Sequence, residues 1–250
     1  MPSRVSVILA TYDERDNIVP LLRHIRDVLS DRSYEIIVVD DDSPDRTWEL
    51  VEAEASRDSS IKLIRRFKER GLTSALNTGI SASSGDVLVW LDSDFQHPPS
   101  KIPELLIEID QGASVATGSR FLHQQVNDER YQWRQDIPTV IWIHGRLSRL
   151  LSLMLCKLSH YQFTDWTSGL IAIRRSIFND YSLTGYYGEC FMSLLFHCFK
   201  NNYSVVEIPY TLSLRQRGKS KTSGAGYGRL ISLGIRYLIV LTRLIYSGFR

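Results

Sequence analysis

The stretch Asp86-Val-Leu-Val-Trp-Leu-Asp92-Ser-Asp94-Phe-Gln96-His97-Pro-Pro99 carries an unbroken apolar run into two aspartates one residue apart. Asp86–Leu91 reads as a strand, and Ser100–Gln111 beyond the prolines reads as a helix. Carboxylates at alternate positions past a strand end can converge on a hard divalent cation. Mg²⁺ or Mn²⁺ prefers oxygen ligands and bridges to phosphates, and Gln96 offers a neutral amide oxygen. The candidate metal ligands are therefore Asp92, Asp94 and Gln96. A lone D-x-D is common and also describes an acidic loop, so its setting decides its weight.

Outward from this stretch the same pattern repeats. Val5–Ala10, Tyr34–Val39, Ile61–Arg65 and Ser114–Thr117 read as further strands. Ile18–Leu29, Thr47–Ala55 and Leu72–Ser81 read as helices between them. Strands alternating with helices of about ten residues mean βαβ units and a mostly parallel sheet, hence an α/β fold. In such sheets ligands bind at the carboxyl ends of strands, near a topological switch point. Three polar clusters fall at those ends: Thr11–Glu14, Asp40–Asp42 and Asp92–Gln96. Asp40 and Asp41 suit hydrogen bonds from a nucleobase or ribose, whereas Asp42, Ser43 and Asp45 suit a helix N-terminus. No G-x-G-x-x-G follows the first strand and no P-loop is present, which excludes the common dinucleotide and Walker fingerprints.

Composition agrees with one large domain or one domain with an appendage: 250 residues, 43% hydrophobic and 23% charged. Three cysteines, Cys156, Cys190 and Cys198, match no zinc spacing and form no closed disulfide framework. They read as buried thiols of a reducing compartment. The net charge of +2 argues against a dedicated nucleic-acid binder, but it hides an asymmetry. After Glu207 there are eight basic residues and no acidic one, while the first 207 residues carry 22 basic and 28 acidic. A basic tail suits an anionic partner such as phosphate or a lipid surface, or else a solvated face.

No signal peptide is visible, and no window of roughly 20 uninterrupted apolar residues exists. Leu230–Tyr246 comes nearest. Arg236 and Arg243 interrupt it on one helical face, which gives either an amphipathic surface helix or a helix packed on the protein's own core. Asp136–Leu158 is an apolar helical region punctuated by Arg146, Arg149 and Lys157 and suits either core or lipid. Arg215-Gln-Arg217-Gly-Lys219-Ser-Lys221 is a basic, glycine-containing loop that can wrap a phosphate or serve as a basic linker.

Six elements in fixed order then resemble a known family: A10-T-Y-D-E14, V38-V-D-D-D-S-P-D45, L91-D-S-D-F-Q-H-P-P99, G118-S-R-F121, D165-W-T-S-G-L170, and E207-I-P-Y210 followed by R215-x-x-G-x-S-K221. The chain resembles the family 2 glycosyltransferases of GT-A fold, in particular the dolichol-phosphate mannose synthase and polyprenyl-phosphate glycosyltransferase group. The resemblance runs from residue 5 to residue 221. It implies a GT-A, Rossmann-like catalytic domain over 1–224, with 138–158 a candidate membrane-facing helical region, and an amphipathic, membrane-surface C-terminal helix over 225–250.

The resemblance also implies roles. Ala10, Tyr12, Glu14, Val39 and Asp41 would cradle the nucleotide with Asp40 beside them. Asp92, Ser93, Asp94 and Gln96 would hold the metal (Mg²⁺ or Mn²⁺) and the diphosphate. Arg120 would face the sugar or the acceptor phosphate, and Arg215 and Lys221 would close over the phosphates. The catalytic set is Asp94, Arg120, Asp165 and Arg215. Asp165 would orient the acceptor or a sugar hydroxyl, or else cap the turn before Ser168-Gly169. His97 reads as a supporting residue outside that set. Ala10 stands where the family has Pro and Asp13 where it has Asn. These departures leave the nucleobase open.

The implied reaction is inverting transfer of a hexose from a nucleotide diphosphate sugar to a polyprenyl or dolichyl phosphate. GDP-mannose is the first expected donor and UDP-glucose the second. An ionised lipid phosphate needs no strongly shifted catalytic base, since its first proton leaves far below pH 7. The expected site of action is the cytoplasmic face of a membrane, as a peripheral protein, with a membrane-anchoring subunit a candidate partner. The competing readings are a family 2 transferase with another acceptor and a non-catalytic membrane-surface module. The Q-x-x-R-W signature of processive polysaccharide synthases is absent.

Overall fold

A computed structural model describes residues 3–122, 139–159, 161–213, 234–237 and 239–243. Its order is β1 (Val5–Thr11), α1 (Arg15–Val28), β2 (Tyr34–Asp40), α2 (Thr47–Ala55), β3 (Ile61–Arg65), α3 (Leu72–Ala82), β4 (Val87–Trp90), α4 (Ile102–Asp110), β5 (Val115–Ser119), α5 (Thr139–Ser159), β6 (Ile171–Arg174), α6 (Glu189–Lys200) and β7 (Val205–Pro209). The seven strands form one sheet in the order β3-β2-β1-β4-β6-β5-β7. Strands β3, β2, β1 and β4 run parallel, as do β5 and β7, while β6 runs antiparallel to both β4 and β5.

Both faces of the sheet are covered, which is why its strands are apolar throughout rather than alternating. Val5, Val7 and Leu9 of β1 pack with Ile18, Leu21, Leu22 and Ile25 of α1 and Leu105, Leu106 and Ile109 of α4. Ile8, between them in sequence, points the other way onto Leu76 and Ile80 of α3 and the α6 core. This is a three-layer sandwich, the mostly parallel α/β architecture that the alternating pattern predicts. The five predicted strands and the helices from α1 to α5 all form, with ends shifted by a few residues. Sequence periodicity did not yield β6, α6 and β7.

The C-terminal segment answers one of its two readings in part. Within 234–243, Leu241 is buried, and Tyr237 and Val240 pack on the core that α6 builds, while Ile235 and Ile239 stay exposed. One face of this helical piece therefore seats on the protein's own core. Among the described residues no helix is long and apolar enough to cross a membrane.

Candidate active site

Strand order places β1 between β2 and β4, so the carboxyl ends of these three strands form the switch point where a ligand crevice opens. The end of β2 carries Asp40 and Asp41. Asp40 is fully buried and accepts from Thr11 Oγ1 (2.8 Å), the Ser43 amide (2.8 Å) and Ser43 Oγ (2.6 Å). Asp41 accepts from Arg66 Nε at 2.7 Å and from the Gly71 amide at 2.8 Å. Gly71 sits at φ 133°, a conformation glycine adopts without strain, and opens α3 there. Asp42 pairs with Arg65, and Asp45 Oδ1 accepts from the amide of Thr47, the first residue of α2 (2.9 Å). Asp45 therefore serves the start of α2, whereas Asp42 pairs with Arg65 instead of capping it.

Along β1, Ala10 and Val39 are register partners, and Val39 is buried against Ile37 and Ala75. Glu14 is buried and accepts from Asn17 Nδ2 at 2.8 Å. The Arg70 guanidinium lies over the Tyr12 ring, 5.3 Å from its centroid. Arg66 and Arg70, which no motif in the sequence marks, brace this corner. Two basic residues in an exposed-looking loop after β3 were the only local sign of them.

At the end of β4 the arrangement differs. Asp92 has a side chain 51% exposed, while Asp94 is buried with Oδ1 accepting from the Gln96 amide at 3.0 Å. Ser93 Oγ donates to the Ala10 carbonyl at 3.1 Å, tying the motif to β1. His97 Nδ1 accepts from the Asp92 amide at 3.1 Å, which fixes its neutral tautomer. Burial lowers the His97 pKa to about 4, against the opposing pull of Asp94. Among the described residues no three acidic, imidazole or thiol groups converge on one point. Two oxygen-donor carboxylates beside an amide fit the needs of Mg²⁺ or Mn²⁺, which takes its remaining ligands from phosphates and water.

The third part comes from far along the chain. Because β6 is antiparallel, its starting end lies at the carboxyl edge of its neighbours: Ile171 pairs with Trp90 on one side and Thr117 on the other. The preceding segment 165–168 therefore meets the end of β5. Arg120 Nε donates to Asp165 Oδ2 and Nη2 to Asp165 Oδ1, both at 2.7 Å. The Arg120 amide joins at 3.0 Å, and Nη2 also reaches Thr167 Oγ1 (2.7 Å) and Ser148 Oγ (3.0 Å). Burial alone would raise the Asp165 pKa, but Arg120 outweighs it and holds the carboxyl below its ordinary range. Burial would likewise lower Arg120, and Asp165 outweighs that and holds it above its usual value. Glu207 on β7 supports the segment by accepting from the amides of Thr164 (2.7 Å) and Asp165 (2.9 Å), and burial raises its pKa. His97 joins the two halves: its ring meets that of Tyr210 edge-on at 5.7 Å between centroids, and Tyr210 Oη accepts from Ser168 Oγ at 3.4 Å.

Residues 6–182 match the sequence profile of Glycosyl transferase family 2. The chain belongs to this family. It is 40% identical over 222 residues to the dolichol-phosphate mannosyltransferase of Pyrococcus furiosus, which covers 88% of this chain and 60% of that one. It is 31% identical over 229 residues to the polyprenol monophosphomannose synthase of Mycolicibacterium smegmatis, over 89% of this chain and 82% of that one. Among solved structures it matches the glucosyl-3-phosphoglycerate synthase of Mycobacterium tuberculosis, crystallised with Mn²⁺, UDP and phosphoglyceric acid. That match has a TM-score of 0.71 at 20% identity over 97% of this chain and 78% of that one, and it shows the shared GT-A fold.

In this family 2 glycosyltransferase the described site has an acidic side at β4 and a cationic side at Arg120. Arg215 and Lys221 lie outside the described residues, as does 214–233 as a whole. The chain leading to them is anchored within the site: the Ser213 amide donates to the Gln96 carbonyl at 3.1 Å.

Proposed function

We propose that this protein transfers a hexose, mannose first and glucose second, from a nucleotide diphosphate sugar to a polyprenyl phosphate with inversion. The observation that carries this reading is the pairing of a D-x-D edge with a buried Arg120–Asp165 ion pair around His97. The named relatives that act on dolichol phosphate or polyprenol support the acceptor class.

In this reading Ala10, Tyr12, Glu14 and Val39 line the nucleotide corner, and Asp40 and Asp41 hold its walls. Asp92, Asp94 and Gln96 would hold Mg²⁺ or Mn²⁺, which when bound neutralises charge on the departing diphosphate. Arg120 presents a guanidinium to the acceptor phosphate. That phosphate is ionised at neutral pH, so its oxygen attacks the anomeric carbon directly. A carbon–oxygen bond forms to the lipid phosphate. The bond to the diphosphate breaks, and its electron pair leaves with the nucleotide. Asp165 stays ionised and keeps Arg120 fixed while charge moves past it. Arg215 and Lys221 add positive charge to the leaving side.

The acceptor class calls for work at a bilayer surface, at the cytoplasmic face of a membrane, by a peripheral protein or one held by an anchoring subunit. Helix α5 fits that role: Leu147, Leu150, Leu153, Met154 and Leu158 are exposed, and Arg146, Arg149 and Lys157 border them. The test incubates the protein with polyprenyl phosphate, Mn²⁺ or Mg²⁺, and a panel of GDP- and UDP-sugars, with mass spectrometry of the lipid. A hexosyl phospholipid formed from GDP-mannose is the expected product. No glycolipid with any donor would overturn the reading.

A further inference from the structure

From Gly145 to Ser159, helix α5 departs from an ordinary surface helix, which keeps its apolar stripe on the core. Leu147, Leu150, Leu153 and Leu158 face outward, and its inward face carries the buried Ser148, Ser152 and Ser159 beside buried Leu155 and partly buried Leu151. Buried hydroxyls are costly without partners, so their bonds show what the face is for. Ser148 Oγ contacts both Arg120 Nη2 and Thr167 Oγ1. Ser152 Oγ accepts from the Trp166 amide at 3.1 Å. Both serines therefore grip the segment 165–167 that carries the Arg120 counter-ion.

From these contacts we infer that Ser148 and Ser152 are positioning residues through which the seating of α5 sets the direction of the Arg120 guanidinium. This rests on the proposed transfer to a lipid phosphate. Arg120 is held along its Nε–Nη2 edge by Asp165, Thr167 and Ser148, and among the described residues Nη1 donates no hydrogen bond. Nη1 is the end that an anionic acceptor would meet. Ser148 Oγ, which meets both Nη2 and Thr167 Oγ1, is the contact that ties this edge of the guanidinium to α5. Hydrogen bonds of about 3 Å fail with a shift of about 1 Å. A helix whose outer face is apolar and bordered by Arg146, Arg149 and Lys157 is restrained against such a shift when that face lies on an anionic bilayer.

The test uses the full chain with a long polyprenyl phosphate in phosphatidylglycerol-containing vesicles and, separately, a short water-soluble prenyl phosphate. S148A is expected to raise KM for the vesicle-borne acceptor about tenfold while KM for the nucleotide sugar stays within about twofold. S148T, which keeps the hydroxyl, is expected to restore the acceptor KM. The wild-type preference for the vesicle-borne acceptor should shrink in S148A. A parallel rise in both KM values, or no change in either, overturns the inference. If S148A does not fold, S152A with S152T as its rescue reads the same split under the same criteria. No transfer by the wild type to either acceptor would instead overturn the proposed function, so the two failures are distinct.

Discussion

Two acidic corners end neighbouring stretches of the same sheet, and they serve opposite purposes. At the end of β2, Asp40 is closed by three donors from Thr11 and Ser43, and Asp41 by Arg66 and the Gly71 amide. At the end of β4, the Asp92 side chain is half exposed, and Asp94 accepts from the Gln96 amide of its own turn. The residue type is the same and so is the place on the fold. What differs is the setting: Arg66 after β3 and the Gly71 amide before α3 close on Asp41 at the first corner, while the second keeps an exposed carboxylate in Asp92. A buried carboxylate ringed by protein donors is framework, and a half-exposed one such as Asp92 is accessible to a cation.

Asp94→Ala should give the largest effect, a loss of transfer of about 10³-fold or more with the fold retained, read by glycolipid formation and circular dichroism. Unchanged turnover would remove the β4 corner from the chemistry. Asp165→Asn comes next. It leaves the Arg120 charge buried without its counter-ion, and about 3 kcal/mol of stability should be lost, measured by denaturant unfolding. Asp40→Asn should cost less, about 2 kcal/mol, with donor KM changed by less than about threefold. A tenfold loss of donor affinity at unchanged Tm would make Asp40 a ligand and erase the contrast between the corners.

The smallest effect lies at the opposite edge of the sheet, where Glu35 accepts from Ser6, Lys62 and Ser84. Burial pushes its pKa up, but these hydrogen bonds outweigh it and leave it at about 2. A depressed carboxylate stabilises the fold above its unfolded pKa and loses that contribution as pH falls. The Tm difference between wild type and Glu35→Gln should therefore be constant above about pH 5 and shrink between about pH 4.5 and 2. A difference that grows on acidification would contradict the assignment.

Much of the fold was legible because hydrophobic periodicity is local. The runs Val5–Ala10, Tyr34–Val39 and Asp86–Leu91 needed only their own residues to read as strands, and their parallel course followed from the helices between them. Ile171–Arg174 was missed because a four-residue apolar run carries no sign of direction, and nothing nearby announces that it inserts antiparallel between β4 and β5. The acids of the site were legible by position and motif. Arg66, Ser148, Ser152 and Thr167 were not, since none stands beside a strand end or in a recognisable spacing. Helix α5 reads in sequence as apolar with basic punctuation; which of its sides faces outward is invisible until the body is placed beneath it.

The sequence by itself determined the alternating elements, the edge where acids gather, and the six motifs of the family. Only the tertiary structure decided which acids are buried, that Asp165 meets Arg120 from 45 residues away, and that α5 turns three serines inward and four of its leucines outward. The reason is range. Periodicity and turn chemistry act over a few residues, whereas a buried ion pair or a hydroxyl contact depends on distances that exist only once the sheet has ordered its strands.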